Sequence, residues 1–152
     1  MTKFVSRITG CDASSISCEW KISENEDFFR DHFEGMPVVP GLVILESLVT
    51  AAAWLARVSS DFNMLSFKLS ELSNYKLPRS VKPGEVLQIK VELIERRPDV
   101  LRFRGKAEVE GQSAAQGLFS LMELPAICEQ DTFFYRDLCR TQFQQLLEQI
   151  EK

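Results

Sequence analysis

Apolar and polar residues alternate with period two over 86–96 and 100–109. Leu87, Ile89, Val91 and Leu93 fall on one side of the first run, with Gln88, Lys90, Glu92 and Ile94 on the other. In the second run Leu101, Phe103 and Gly105 oppose Arg102, Arg104 and Lys106. Such alternation marks strands with one buried face. Arg97-Pro98-Asp99 joins these two runs, and Glu110-Gly111-Gln112 leads into a third extended run over 114–124, which predicts an antiparallel meander. Shorter strands are predicted at 3–9, 16–22 and about 65–72, with a connection over 76–85 that carries Pro78, Pro83 and Gly84.

The period changes at Gly41. Leu42, Val43, Ile44, Leu45, Leu48, Val49 and the stretch Ala51-Ala52-Ala53-Trp54-Leu55-Ala56 leave no ordinary solvent face. A helix over about 41–57 of this kind is expected to sit inside a wrapping sheet. Phe143, Leu146, Leu147 and Ile150 recur at i, i+3, i+4 and i+7, so 131–152 is expected to be a second, amphipathic helix. The sum is an α+β fold: an antiparallel sheet around one long central helix, with an extra C-terminal helix. Residues 1–125 then form the main domain. Residues 126–152 are a C-terminal extension packed on that domain or on a neighbouring subunit, or else a partner-docking helix.

Composition narrows the function classes. A chain of 152 residues with 45% hydrophobic and 26% charged positions buries a core without disulfides or metal. The net charge of −4 argues against nucleic acid as a partner. Residues 1–10 lack the apolar run of a signal peptide, and the apolar stretch 42–56 is broken by Glu46, Ser47 and Thr50 and is too short for a bilayer. The expectation is a cytoplasmic protein without a membrane association. Cys11, Cys18, Cys128 and Cys139 fall in no CxxC spacing, and a single histidine accompanies them, which points to reduced thiols and no metal site. A disulfide framework is the lesser alternative.

Candidate chemistry gathers between Phe28 and Thr50. His32, the only histidine, lies in a loop over 31–40 rich in Gly and Pro, just before the apolar helix. Glu46 is the one acid of that helix. A carboxylate within a buried helix costs several kcal/mol unless paired or neutral, roughly 2–7 for a polar group. A lone imidazole beside a lone helix acid reads as an acid–base pair. Glu46, Thr50, Ala53 and Arg57 form one helical stripe able to line a crevice. The bland alternative makes Glu46 a hydrogen-bonded structural acid and has Thr50 bonding back to Leu45 or Glu46. No Ser, Thr, Asp or Asn stands between Gly35 and Gly41 to cap the helix. The amides of Gly41 and Leu42 are then free to hold a developing oxyanion, or are satisfied by water or a loop carbonyl.

The run His32-Phe33-Glu34-Gly35-Met36-Pro37-Val38-Val39-Pro40-Gly41, followed by Ile44-Leu45-Glu46, resembles the signature of the β-hydroxyacyl-acyl carrier protein dehydratases. The likeness extends from about residue 16 to 124 and includes Lys82-Pro83-Gly84-Glu85. It implies a hot-dog fold and a homodimer with each active site across the interface, or a trimer of such dimers. The substrate it implies is a 3-hydroxyacyl chain on acyl carrier protein, and the product a trans-2-enoyl thioester, formed without metal or redox cofactor. Glu at position 46 looks like the FabZ branch. Carried over by position, His32 is the base for the α-proton, Glu46 from the partner is the acid for the leaving hydroxyl, and the Gly41 amide holds the thioester oxygen. Leu42 and Thr50 would contact substrate.

Three positions depart from the family pattern: Asp31 replaces the usual Gly, Glu34 the usual Pro and Thr50 the usual Gln. They leave the catalytic pair intact and bear on substrate preference and rate. A hot-dog thioesterase would also use a helix acid and a helix-end amide, but has little need of His32. A non-catalytic acyl-binding subunit is the third reading. Two basic areas, one around Arg102, Arg104 and Lys106 and one over 76–82, are either solvated faces or a docking site for the acidic carrier.

Overall fold

The period-two runs build the middle of a six-stranded antiparallel sheet. In chain order the strands are β1 (Arg7–Cys11), β2 (Ser15–Lys21), β3 (Phe67–Lys76), β4 (Val86–Arg96), β5 (Val100–Val109) and β6 (Gln112–Glu123). They lie in the order β1-β2-β4-β5-β6-β3. The structure, a computed structural model, describes residues 4–29, 37–125 and 129–148, with the backbone alone described at 129–131. Two helices complete it, α1 (Gly41–Ser59) between β2 and β3 and α2 (Glu129–Glu148) after β6.

The alternation places residues as the sequence predicts. Leu87, Ile89, Val91, Leu101, Phe103, Ala107, Val109, Phe119 and Leu121 are buried. Register sets Phe103 opposite Phe119, and their rings stack at 5.6 Å. Next to them Gly105 lets α1 approach: a Cβ there would lie 2.9 Å from Phe119 Cε1 and 3.4 Å from Leu48 Cδ1. Leu48 is wholly buried in that contact, and burial of such a side chain stabilises by about 1.5–3 kcal/mol.

Four strands differ from the expected bounds, β2 and β6 by only one or two residues and β1 and β3 by more. The one predicted at 3–9 begins at Arg7 and runs to Cys11, because Phe4 adopts a left-handed φ of 70° that cannot continue a strand. The one predicted at 65–72 extends to Lys76. As an edge strand it is mostly exposed, its register shifts twice against β6, and Asn74 has a φ of 53°, so no clean alternation betrays its second half.

Helix α1 corrects a larger expectation. Ile44, Leu45, Ser47, Leu48 and Ala51 to Ala56 are buried, and the Ser47 hydroxyl satisfies itself on the Ile44 carbonyl at 2.6 Å. Yet Leu42 is 75% exposed and Glu46 is exposed as well. The sheet covers one side of the helix and leaves a stripe open, so α1 has a free face within the single chain. By length and composition α1 also passes as a membrane-crossing helix, unlike the sequence expectation, although half of it is buried inside the fold.

Helix α2 folds back on the end of α1. The Phe143 ring lies 6.0 Å from Trp54 and 6.1 Å from Phe62, and Cys139 and Leu146 are buried beside it. Asp61 and Phe62 turn the chain at φ of 52° and 61°. Arg136 Nε donates to the Phe62 carbonyl at 2.9 Å, and Arg140 Nη2 donates to that of Asp61 at 3.4 Å.

Candidate active site

Glu46 and Thr50 lie one turn apart on the open stripe of α1, as their spacing predicts. They share a cleft of about 320 Å³ with Ala53 and Arg57 of the same stripe, Phe67 of β3, and Tyr135 and Gln142 of α2. The Thr50 hydroxyl donates to the Glu46 carbonyl at 2.8 Å, so its proton is used by the helix and its oxygen remains an acceptor. The carboxylate of Glu46 is not buried, contrary to the reasoning that singled it out. The helix is not enclosed on all sides, because one chain covers only the face toward its sheet.

The helix start is uncapped by any side chain. Pro40 stands at the N-cap with φ −58° and ψ 142°, and its carbonyl accepts the amides of Val43 and Ile44 at 2.9 and 3.2 Å. The amides of Gly41 and Leu42 have no acceptor among the described residues. Two contacts fix this turn. The Val39 amide donates to the Val81 carbonyl at 2.8 Å, and the Tyr75 hydroxyl donates to the Gly41 carbonyl at 2.7 Å. Burial pushes the Tyr75 phenol up to about 12, which keeps it a neutral donor. A Cβ on Gly41 would come 2.5 Å from Leu77 Cδ1, so that half-exposed side chain would have to shift to admit it.

Gly41 lines a second crevice of about 110 Å³, with Ile44, Leu77 and Val81 among its walls, and not the Glu46 cleft. The structure therefore brings Glu46 and Thr50 together and keeps Gly41 apart from them within one chain. Leu42, one turn before Glu46 and exposed, lines neither crevice. His32, with Asp31 and Glu34, lies outside the described residues. Among the described residues no three His, Cys, Asp or Glu side chains gather where a metal ion could be held. Tyr75, Leu77, Tyr135 and Gln142 were invisible to sequence reasoning, because each reaches the helix from an element distant in the chain.

The Phe residues of the sheet divide. Phe103 and Phe119 are core, whereas Phe67 is half-buried and faces the cleft. Of the basic positions over 76–82, Arg79 is engaged with Glu85 at 2.8 Å, and on β5 Lys106 pairs with Glu108 at 2.9 Å.

An antiparallel sheet wrapped on one long helix is the architecture of a hot-dog protein. The chain belongs to the ApeI-like family, whose model, described as ApeI dehydratase, matches residues 9–118. It is 36% identical over 123 residues to a 3-hydroxyacyl-[acyl-carrier-protein] dehydratase FabZ of Anaeromyxobacter sp. strain Fw109-5, covering 78% of each chain. A protein of the same name from Erythrobacter litoralis is 36% identical over 104 residues, 66% of this chain and 68% of that one. Among solved structures, the dehydratase heterocomplex ApeI:P from Xenorhabdus doucetiae superposes with a TM-score of 0.67 at 14% identity, covering 86% of this chain and 88% of that one. A hypothetical thioesterase with coenzyme A from Streptococcus pneumoniae gives 0.60 at 12% identity, with coverage of 77% and 86%. At such identities these two likenesses speak for the fold alone.

Proposed function

We propose that this protein dehydrates 3-hydroxyacyl-[acyl carrier protein] to the trans-2-enoyl thioester as a soluble cytoplasmic enzyme. The observation that carries the reading is the 36% identity to a FabZ dehydratase across 78% of both chains. In the mechanism, the His32 imidazole takes the α-proton of the thioester, and the Gly41 amide stabilises the enolate oxygen that results. Glu46 donates a proton to the β-hydroxyl, the C–O bond breaks, and water leaves. The proton removed at Cα and the proton delivered at oxygen balance over the two groups.

The working unit is a homodimer, alone or in a trimer of dimers, with Glu46 completing the site of its partner. Three features support this. Glu46 is exposed on its own chain, the Gly41 crevice opens separately from the Glu46 cleft, and the stripe around Glu46 carries the exposed Leu42.

The test is the reverse reaction, hydration of a crotonyl thioester followed by loss of absorbance. Wild-type turnover is expected to fall by about a hundredfold or more in both His32→Ala and Glu46→Gln, the scale of general acid–base groups. Release of free thiol instead of hydration would indicate a thioesterase. Acyl binding with no turnover would indicate a non-catalytic subunit.

A further inference from the structure

The far end of the Glu46 cleft holds a cation that is only partly used. Arg57 stands eleven positions after Glu46 on the same stripe, about 16 Å along the helix axis. Its Nε donates to the Leu65 carbonyl at 2.8 Å. Its guanidinium carbon lies 4.6 Å from the ring centroid of Trp54 and 5.9 Å from that of Phe67. One nitrogen and the ring-facing sides of the group are thereby occupied, and the side chain is held in place. The N–H groups on Nη1 and Nη2 have no acceptor among the described residues. Tyr135 and Gln142, brought in by α2, line the same cleft.

We infer that Arg57 is a specificity determinant that selects acyl thioesters ending in a carboxylate. The inference rests on the Glu46 cleft being the acyl site. A saturated methyl end pressed against a half-buried guanidinium displaces its water and returns no hydrogen bond. A carboxylate returns two, in the fork geometry that a fixed guanidinium edge offers. Trp54 and Phe67 hold the guanidinium beside their rings, and its unused N–H groups on Nη1 and Nη2 are what a ligand meets, which favours an oxygen acceptor over an aromatic end. An extended chain advances about 1.2 Å per bond, taking the polypeptide's 3.3–3.6 Å per three bonds as the scale, so about a dozen bonds connect the reacting carbons to Arg57.

The experiment compares two 2-enoyl thioesters of equal length, about fifteen carbons on the spacing above, one ending in a carboxylate and one in a methyl group. Binding of their saturated analogues is measured by calorimetry, and hydration is measured separately, on wild type, Arg57→Met and Arg57→Lys. The carboxylate end is expected to bind about tenfold better or more to wild type, as suits a charge-assisted pair. Arg57→Met erases that preference, whereas Arg57→Lys keeps part of it. Equal binding of both ends by wild type, or a preference that survives Arg57→Met, overturns the inference. Preferential binding without any hydration supports the role of Arg57 and counts against the dehydratase reading. Hydration of crotonyl thioester with no preference between ends leaves the dehydratase reading and removes this one.

Discussion

The Tyr75 hydroxyl donates to the carbonyl of Gly41 at 2.7 Å and so ties the edge strand to the first residue of the central helix. The tie crosses from the strand that ends the sheet to the turn whose free amides face the thioester oxygen in the proposed mechanism. Tyr75→Phe is expected to cost about 1 kcal/mol of stability, the net worth of one hydrogen bond. It should also lower hydration turnover by about tenfold through misplacement of the Gly41 amide. Chemical denaturation and the crotonyl assay on the same sample separate the two effects.

Gly41 and Leu77 compete for one space. Gly41→Ala brings a methyl group within 2.5 Å of Leu77 Cδ1, so activity should fall in the single variant. Leu77 is 47% exposed, and Leu77→Ala alone should be mild. The double variant should regain most of the lost activity, with a coupling of about 1 kcal/mol or more in a double-mutant cycle.

If each site takes His32 from one chain and Glu46 from the other, two dead variants can make a live enzyme. His32→Ala mixed with Glu46→Gln and refolded together should recover about a quarter of wild-type activity, since half of randomly paired dimers hold one intact site of two. Each variant alone remains inactive. Mixing without recovery would place both groups in one chain's own site.

Much of this arrangement is legible in the sequence, for a reason particular to each part. The meander is visible because β4 and β5 each bury one face, so every second residue is apolar. The helix is visible because its core face is nearly all Leu and Ala. The open stripe was misread, since Leu42, Val43 and Val49 look like core in a string of apolar residues, and only the finite width of the sheet shows which of them it covers. Tyr75 and Arg57 are ordinary residues in the sequence. Their roles come from where β3 and the Leu65 carbonyl lie in space.

Three groups hold their protons more firmly in the fold than in the free chain. Burial pushes Tyr75 up to about 12, Cys18 up to about 12 and Cys11 up to about 11. The unfolded chain releases these protons at about 8.5 for Cys and 10 for Tyr, so above that range it binds fewer protons than the native state. These three groups therefore leave stability unchanged below about pH 8.5 and make it decline as pH rises toward 11 and 12. Thermal unfolding followed across that interval checks the sign, and Tyr75→Phe should make the decline above pH 10 shallower without abolishing it.

Helix α2 is pinned by Phe143 between Trp54 and Phe62. Phe143→Ala is expected to cost about 3 kcal/mol, near the low end for a core phenylalanine because the site lies close to the surface. Limited proteolysis should then cut within 129–148 while the sheet resists, and loss of the Tyr135 and Gln142 wall should weaken binding of long acyl chains more than of crotonyl.

The stripe of Glu46, Thr50, Ala53 and Arg57 also restricts how this protein can change over evolutionary time. One residue inserted between Thr50 and Ala53 would rotate the remainder of the helix by about 100° and carry Arg57 out of line with Glu46. A substitution anywhere on the stripe alters one wall of the cleft, whereas an insertion scrambles all of it. Descendants of this chain are thus free to vary in residue type along α1 and in length only outside it, at turns such as Glu110-Gly111.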